Sequence, residues 1–153
     1  MWTHWRGAPW APTPMSMVHK MLQMAEVGPD DLVYDLGCGD GRMVVTAVRQ
    51  YGARAVGIEL DPLRFLWCQI LITVLGLRSR VQIVYGDIFT QDLSAANVVT
   101  CYLLRSTNKK LQAKFKIELQ PNARVVSNFF TFPKLKLVDQ DEKAKLYLYN
   151  LEN

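Results

Sequence analysis

Short apolar runs alternate along this chain with longer stretches whose apolar positions recur every three or four residues. Residues 15–26 place Met17, Val18, Met21, Leu22 and Met24 at helical spacing, and Val27-Gly28-Pro29 stops that helix. Strands are expected over residues 32–36, 55–60, 81–85, 98–103 and 124–130. Helical patterns fall over 42–50, 62–75 and 108–118, while Gly86-Asp87 opens a loop. The strand runs are rich in Val and Ile, as strands covered on both faces are. The alternation therefore predicts a doubly wound, mainly parallel α/β sheet.

The two ends depart from that rhythm. Pro9-Trp10-Ala11-Pro12-Thr13-Pro14 must be extended, because each proline fixes its own φ and pushes its predecessor out of the helical region. After Phe132 two more strands fit, near 134–138 and 145–151, separated by the polar Asp139-Gln140-Asp141-Glu142. No full helix fits between them, so an antiparallel hairpin on the sheet edge is expected. The reading is a Rossmann-like seven-stranded sheet in a single domain over residues 1–153, with residues 1–14 as an extended segment contributing to the active site.

Composition narrows the class without naming a function. Half of the 153 residues are hydrophobic and 21% are charged, a normal globular mix. The net charge of +4 is too mild to demand a nucleic-acid partner, and no specific one is expected. Cys38, Cys68 and Cys101 are far apart and form no C-x-x-C pair, which reads as three reduced thiols and no metal site. No segment reaches the roughly 18 to 20 apolar residues of a membrane span. Met1-Trp2-Thr3-His4-Trp5-Arg6 lacks the order of a secretory signal, which points to the cytoplasm. Its two tryptophans fit an interfacial segment, the stub of a membrane anchor, or packing over the core.

The chemistry concentrates at the ends of the expected strands. Asp31-Leu32-Val33-Tyr34-Asp35-Leu36-Gly37-Cys38-Gly39-Asp40-Gly41-Arg42 joins a buried strand to a glycine turn ahead of a helix. Gly37, Gly39 and Gly41 let the backbone curl and approach a ligand. The dinucleotide fingerprint G-x-G-x-x-G would need glycine at position 42, where Arg42 stands, and no P-loop is present. Asp35 and Asp40 flank the turn with negative charge, which disfavours phosphate and suits a ligand carrying an ammonium and a sulfonium. Glu59, followed by Leu60, closes the second strand and can accept hydrogen bonds from both ribose hydroxyls. Gly86-Asp87-Ile88 closes the third, where Asp87 can accept from an adenine amino group and Ile88 can cover the ring. Asp35, Gly37, Cys38, Gly39, Gly41, Glu59, Leu60, Gly86, Asp87 and Ile88 are thus the expected cofactor residues, and S-adenosyl-L-methionine is the ligand they suit.

The D-L-G-C-G-D-G string resembles the first motif of class I S-adenosylmethionine-dependent methyltransferases. A closer resemblance rests on Ala11-Pro12-Thr13-Pro14, Asp35 to Arg42, Val98-Val99-Thr100-Cys101-Tyr102-Leu103-Leu104 and Arg124-Val125-Val126-Ser127-Asn128. Together these are similar to the small archaeal protein-lysine methyltransferases and the related mitochondrial enzymes acting on ATP synthase and adenine nucleotide translocase. The resemblance implies a protein substrate, methylated on a lysine ε-amine by direct in-line transfer. It also implies that Thr13 and Tyr102 line the methyl-transfer site. Where that family carries Ser-His or another polar residue after the fifth strand, this chain reads Ser127-Asn128-Phe129-Phe130.

A lysine acceptor makes chemical demands that can be compared with the sequence. With a pKa of about 10.4, the amine is neutral in about one molecule in 2,500 at pH 7, an offset near 4.6 kcal/mol. Aromatic walls and neutral oxygens can desolvate the ammonium and align its lone pair. Trp10, Thr13, Tyr102, Asn128 and Phe129 can supply them: Tyr102, Thr13 and Asn128 as catalytic candidates, Trp10 and Phe129 as substrate-binding ones. The signatures of adenine-N6, cytosine-C5 and ribose methylation are absent, and Cys101 reads as a core residue. Methylation of a small molecule or lipid headgroup, and cofactor binding without catalysis, remain as alternatives. Finally, residues 63–75 are apolar almost all round. They fit contact with a membrane surface or a partner, with Trp2 and Trp5 helping, or deep burial within the monomer.

Overall fold

The structure, a computed structural model, describes residues 12–152. Trp2, Trp5 and Trp10 lie outside these described residues. Five parallel strands, β1 (Leu32–Leu36), β2 (Arg54–Glu59), β3 (Val81–Tyr85), β4 (Val98–Cys101) and β5 (Arg124–Asn128), form the body of one sheet. β6 (Lys136–Asp141) and β7 (Leu146–Asn150) complete it, in the order β3-β2-β1-β4-β5-β7-β6. β7 runs antiparallel to both neighbours. The strand order reverses between β1 and β4, where an open α/β sheet leaves a crevice beyond its carboxyl ends.

The helices are α1 (Met15–Met24), α2 (Arg42–Tyr51), α3 (Pro62–Val74) and α4 (Arg105–Glu118). Val18, Met21 and Leu22 of α1, Val44 and Ala47 of α2, and Cys68 and Ile72 of α3 share a core with Val33, Ala55 and Val98. On the opposite face Leu111 and Phe115 of α4 pack with Leu36, Val99 and Cys101. Alternate residues of β1 and β4 therefore feed opposite cores, as the period of two requires. Local chemistry sets the helix ends. Asp61 caps α3, its carboxylate accepting from the Leu63 and Arg64 amides at 2.8 and 3.2 Å, with Pro62 in the first turn. Gly41 and Gly52 bracket α2 with φ of 86° and 74°.

Several expected boundaries are corrected. β4 ends at Cys101, and β5 ends at Asn128, where Phe129 adopts a φ of 73° and turns the chain. α4 starts at Arg105, three residues early, and so includes Thr107. The polar Asp139-Gln140-Asp141 is part of β6, with a register shift between Leu137 and Asp139. β6 is an exposed edge strand, so charged residues cost nothing there and block further pairing.

α3 buries only its inner side. Leu63, Leu66, Trp67, Ile70 and Val74 form one continuous outward stripe, each at least half exposed. The exposed end of this helix satisfies its hydroxyl locally. The Thr73 hydroxyl donates to the Gln69 carbonyl, and Arg78 donates to Thr73 Oγ1. Burial within the monomer therefore does not explain the apolar run among the described residues.

Candidate active site

The turn after β1 is built by three elements at once. Gly37, Gly39 and Gly41 hold φ of 77°, 57° and 86°, values at which a side chain is strained. The Gly37 and Cys38 amides both donate to the Ile58 carbonyl, at 2.9 and 3.0 Å, which lays the turn across β2. Cys38 fits there because Gly57 has no side chain: a Cβ at position 57 would lie 2.7 Å from the Cys38 sulfur. From α3, the Cys68 thiol donates to the Gly39 carbonyl at 3.2 Å.

Glu59 locks the arrangement. Its Oε1 accepts from the Gly39 amide at 2.8 Å, and its Oε2 from the Leu60 and Asp61 amides at 2.9 Å each. A carboxylate offers about four acceptor positions, so one remains for a ligand hydroxyl. The sequence pattern assigns Glu59 to ligand contact alone; the structure adds that it holds the turn in shape. At the end of β3, Asp87 Oδ1 accepts from the Phe89 amide at 2.9 Å, and the Thr90 hydroxyl donates to the Asp87 carbonyl. This tight turn points Ile88 and Phe89 into the same cavity.

Asp35 sits at the centre, almost fully buried, and accepts from the Thr100 hydroxyl at 2.8 Å. Burial pushes its pKa up to about 7; the Thr100 hydrogen bond opposes the rise, and the nearby negative charges of Glu59 and Asp40 add to it. A positive ligand group beside it would restore the ionised form. Burial also acts to raise Asp40, but hydrogen bonds and charge from Arg42 outweigh it, leaving Asp40 below the usual carboxylate range. Cys101 is pushed up to about 12, chiefly by burial, so it is a thiol and no nucleophile.

A cavity of about 1030 Å³, its open mouth included, joins these groups. Asp35, Gly37, Cys38, Gly39, Glu59 and Leu60 line it, and Gly86, Asp87 and Ile88 close its far end. Gly41 lies behind the wall against Cys68. Thr13 and Tyr102 also form part of its wall, Tyr102 directly after β4, on the side of β1 away from β2 and β3. Asn128 and Phe129 are not brought into this wall. Asn128 is buried one residue beyond the Cys101–Ser127 pair, whereas Phe129 is exposed, with the Lys145 ammonium 5.4 Å from its ring centre. Trp10 lies outside the described residues. Sequence reasoning missed Met21, Arg64, Phe89 and Thr107, which also line the cavity. Met21 carries only a core signal in the sequence, and Thr107 falls outside the expected helix.

A nucleoside ligand with cationic groups fits this chemistry: carboxylates at three strand ends, a glycine cradle and one buried acid that needs a positive neighbour. The model of the ANTKMT methyltransferase domain matches residues 35–139, which span the whole cradle. The chain belongs to the ANTKMT methyltransferase family. A protein-lysine N-methyltransferase from Saccharolobus islandicus is 41% identical over 148 residues, 92% of each chain. An adenine nucleotide translocase lysine N-methyltransferase from Mus musculus is 32% identical over 82% of this chain, which spans 54% of that relative's length. Among solved structures, one from Salinibacter ruber, described as an RNA methyltransferase in complex with S-adenosyl-L-homocysteine, superposes with a TM-score of 0.86. It is 39% identical, covering 94% of this chain and 95% of that one. The chain is thus a class I methyltransferase whose cofactor is S-adenosylmethionine.

Proposed function

We propose that the chain transfers a methyl group from S-adenosylmethionine to the ε-amine of a lysine on a protein acceptor. The observation that carries this reading is that one cavity joins acidic and uncharged strand ends. The acidic ends of β1, β2 and β3 would hold the donor, and the uncharged Tyr102, directly after β4, and Thr13 line the same cavity. The names of the Saccharolobus and Mus relatives support a lysine acceptor.

Bound in this cradle, S-adenosylmethionine supplies an electrophilic methyl group on a sulfonium. Asp35 would face its cationic end, with the remaining acceptor position of Glu59 on the ribose and Asp87 on the adenine edge. The residues of the chain do the rest by placement. Tyr102 and Thr13 present neutral oxygens that orient an amine without stabilising its protonated form as a carboxylate would. Asn128, one residue beyond the Cys101–Ser127 register pair, lies outside the cavity lining and would act only as a neutral group behind it. In-line transfer then needs the lysine proton to leave to solvent before attack, so positioning and desolvation replace a general base.

The exposed stripe of α3 supports a contact with a membrane surface or a partner protein, and no helix among the described residues is long and apolar enough to cross a membrane. Three free cysteines accord with work in the cytoplasm.

The test is incubation with radiolabelled S-adenosylmethionine and a mixed cell extract, followed by mass spectrometry of the labelled material. Label on protein lysines is expected. Label confined to nucleic acid, as the description of the Salinibacter relative would suggest, or to lipids and small molecules would overturn the reading.

A further inference from the structure

One side chain bridges the donor turn and the segment that precedes α1. Arg42, the first residue of α2, donates through Nε to both Asp40 oxygens at 3.0 and 3.1 Å and through Nη2 to Oδ2 at 2.5 Å. Its Nη1 is left facing outward and donates to the Thr13 carbonyl at 2.9 Å. Pro12, Thr13, Asp40 and Arg42 all line the cavity. α1 begins after Pro14 without a side-chain cap, so no cap from α1 anchors this segment, and Arg42 reaches it from across the donor turn. A planar fork is suited to this geometry, since it holds a carboxylate with one edge and keeps another donor free.

We propose that Arg42 is a positioning residue that ties the acceptor-side segment Pro12–Pro14 to the donor turn, so that the Thr13 wall stands at a fixed distance from the donor. Asp40 is its lever: it orients the guanidinium, and Arg42 in turn neutralises a carboxylate that would otherwise draw a lysine ammonium and keep it protonated. This assignment rests on the lysine reading for its kinetic consequence, but the tether itself does not depend on the acceptor.

The test uses Arg42→Gln, Arg42→Lys and Asp40→Asn in the full chain. Amide hydrogen exchange, without donor or acceptor, is expected to show faster exchange over residues 12–18 in Arg42→Gln and Asp40→Asn, with β1 and β4 unchanged. Calorimetry on the two Arg42 variants is expected to give S-adenosylmethionine affinity within about threefold of the parent. Steady-state assays are expected to give at least a tenfold rise in acceptor KM, with a smaller fall in kcat. Arg42→Lys keeps the charge and loses the fork, so it should recover only part of the KM. Unchanged exchange over residues 12–18 would overturn the tether whatever the acceptor proves to be. Loss of donor affinity with acceptor KM unchanged would make Arg42 a donor residue instead. Absence of lysine labelling with the exchange change present would overturn the lysine reading and leave the tether standing.

Discussion

Asp35 and Thr100 face each other across the β1–β4 pair, at the point where the strand order reverses, joined by a 2.8 Å hydrogen bond. The hydroxyl is the neutral partner of an acid whose nearest charges are negative. In the unfolded chain Asp35 titrates near its ordinary 3.8, and in the folded chain near 7. Between those values the folded chain holds a proton that the unfolded chain has released. Stability therefore falls as pH rises from about 4 to about 7, and above that range the cost is complete, on the order of 4 kcal/mol. Asp35→Asn keeps an oxygen for Thr100 and removes the charge. It should raise the melting temperature of the donor-free protein at pH 8 and leave it nearly unchanged at pH 4. Equal shifts at the two pH values would show that Asp35 is not the titrating group.

The same acid sets the pH profile of donor binding. A cationic donor needs Asp35 ionised, so affinity should hold above pH 7 and weaken by up to about tenfold per unit below it. Calorimetric titration between pH 5.5 and 8.5 measures this. Asp35→Asn should bind weakly at every pH, with a flat profile.

Glu59 does two jobs, and Glu59→Gln separates them. The amide offers one carbonyl oxygen where three backbone N–H groups now converge, and its own N–H₂ opposes donors. A stability loss of about 2 to 3 kcal/mol is expected from hydrogen bonds to a charged acceptor, together with at least a hundredfold loss of donor affinity. Denaturant unfolding and calorimetry report the two quantities. Unchanged stability with lost affinity would reduce Glu59 to a ligand contact.

Tyr102 lines the cavity directly after β4, across β1 from the strand ends that carry Glu59 and Asp87, and is proposed to face the acceptor. Tyr102→Phe should leave donor affinity within about threefold and lower kcat at least tenfold. A parallel loss of donor binding would move Tyr102 to the donor half.

The stripe on α3 contributes little to folding, so Leu66→Lys with Ile70→Lys should change stability by roughly 0.5 kcal/mol or less per site. Wild type should sediment with anionic vesicles or be retained by a partner, and the double variant should do neither. A monodisperse wild type that ignores vesicles and extracts alike would remove the contact role.

The donor half of the site was legible in sequence because its residues follow one another in motifs. Asp35 to Gly41, Glu59 and Gly86 to Ile88 each close a strand, and strand ends are where such a sheet binds ligands. The acceptor half was legible only in part. Thr13 and Tyr102 came from resemblance, and both line the cavity. Phe129 did not join them, because its positive φ turns it outward, and backbone sign cannot be read from an aromatic pair. The dual role of Glu59 was hidden because it depends on which amides the folded turn brings to its two oxygens. For the helix over 62–74, periodicity could not tell a buried apolar run from an exposed one.

The contacts that shape the site close loops of very different length. Glu59 reaches Gly39 across 20 residues, and Asp35 meets Thr100 across 65. Thr13 and Tyr102 line the same cavity although the chain between them includes three helices and four strands. Loop-closure entropy grows slowly with separation, so the longer of these loops costs about 1 kcal/mol more to close. The Glu59–Gly39 contact is therefore the easier one to close, whereas the Asp35–Thr100 bond, and with it Tyr102 directly after β4, depends on β1 and β4 being paired. On the tether proposed above, a chain loosened at residues 12–14 keeps Asp35, Glu59 and Asp87 in place for the cofactor and loses only the Thr13 part of the cavity wall.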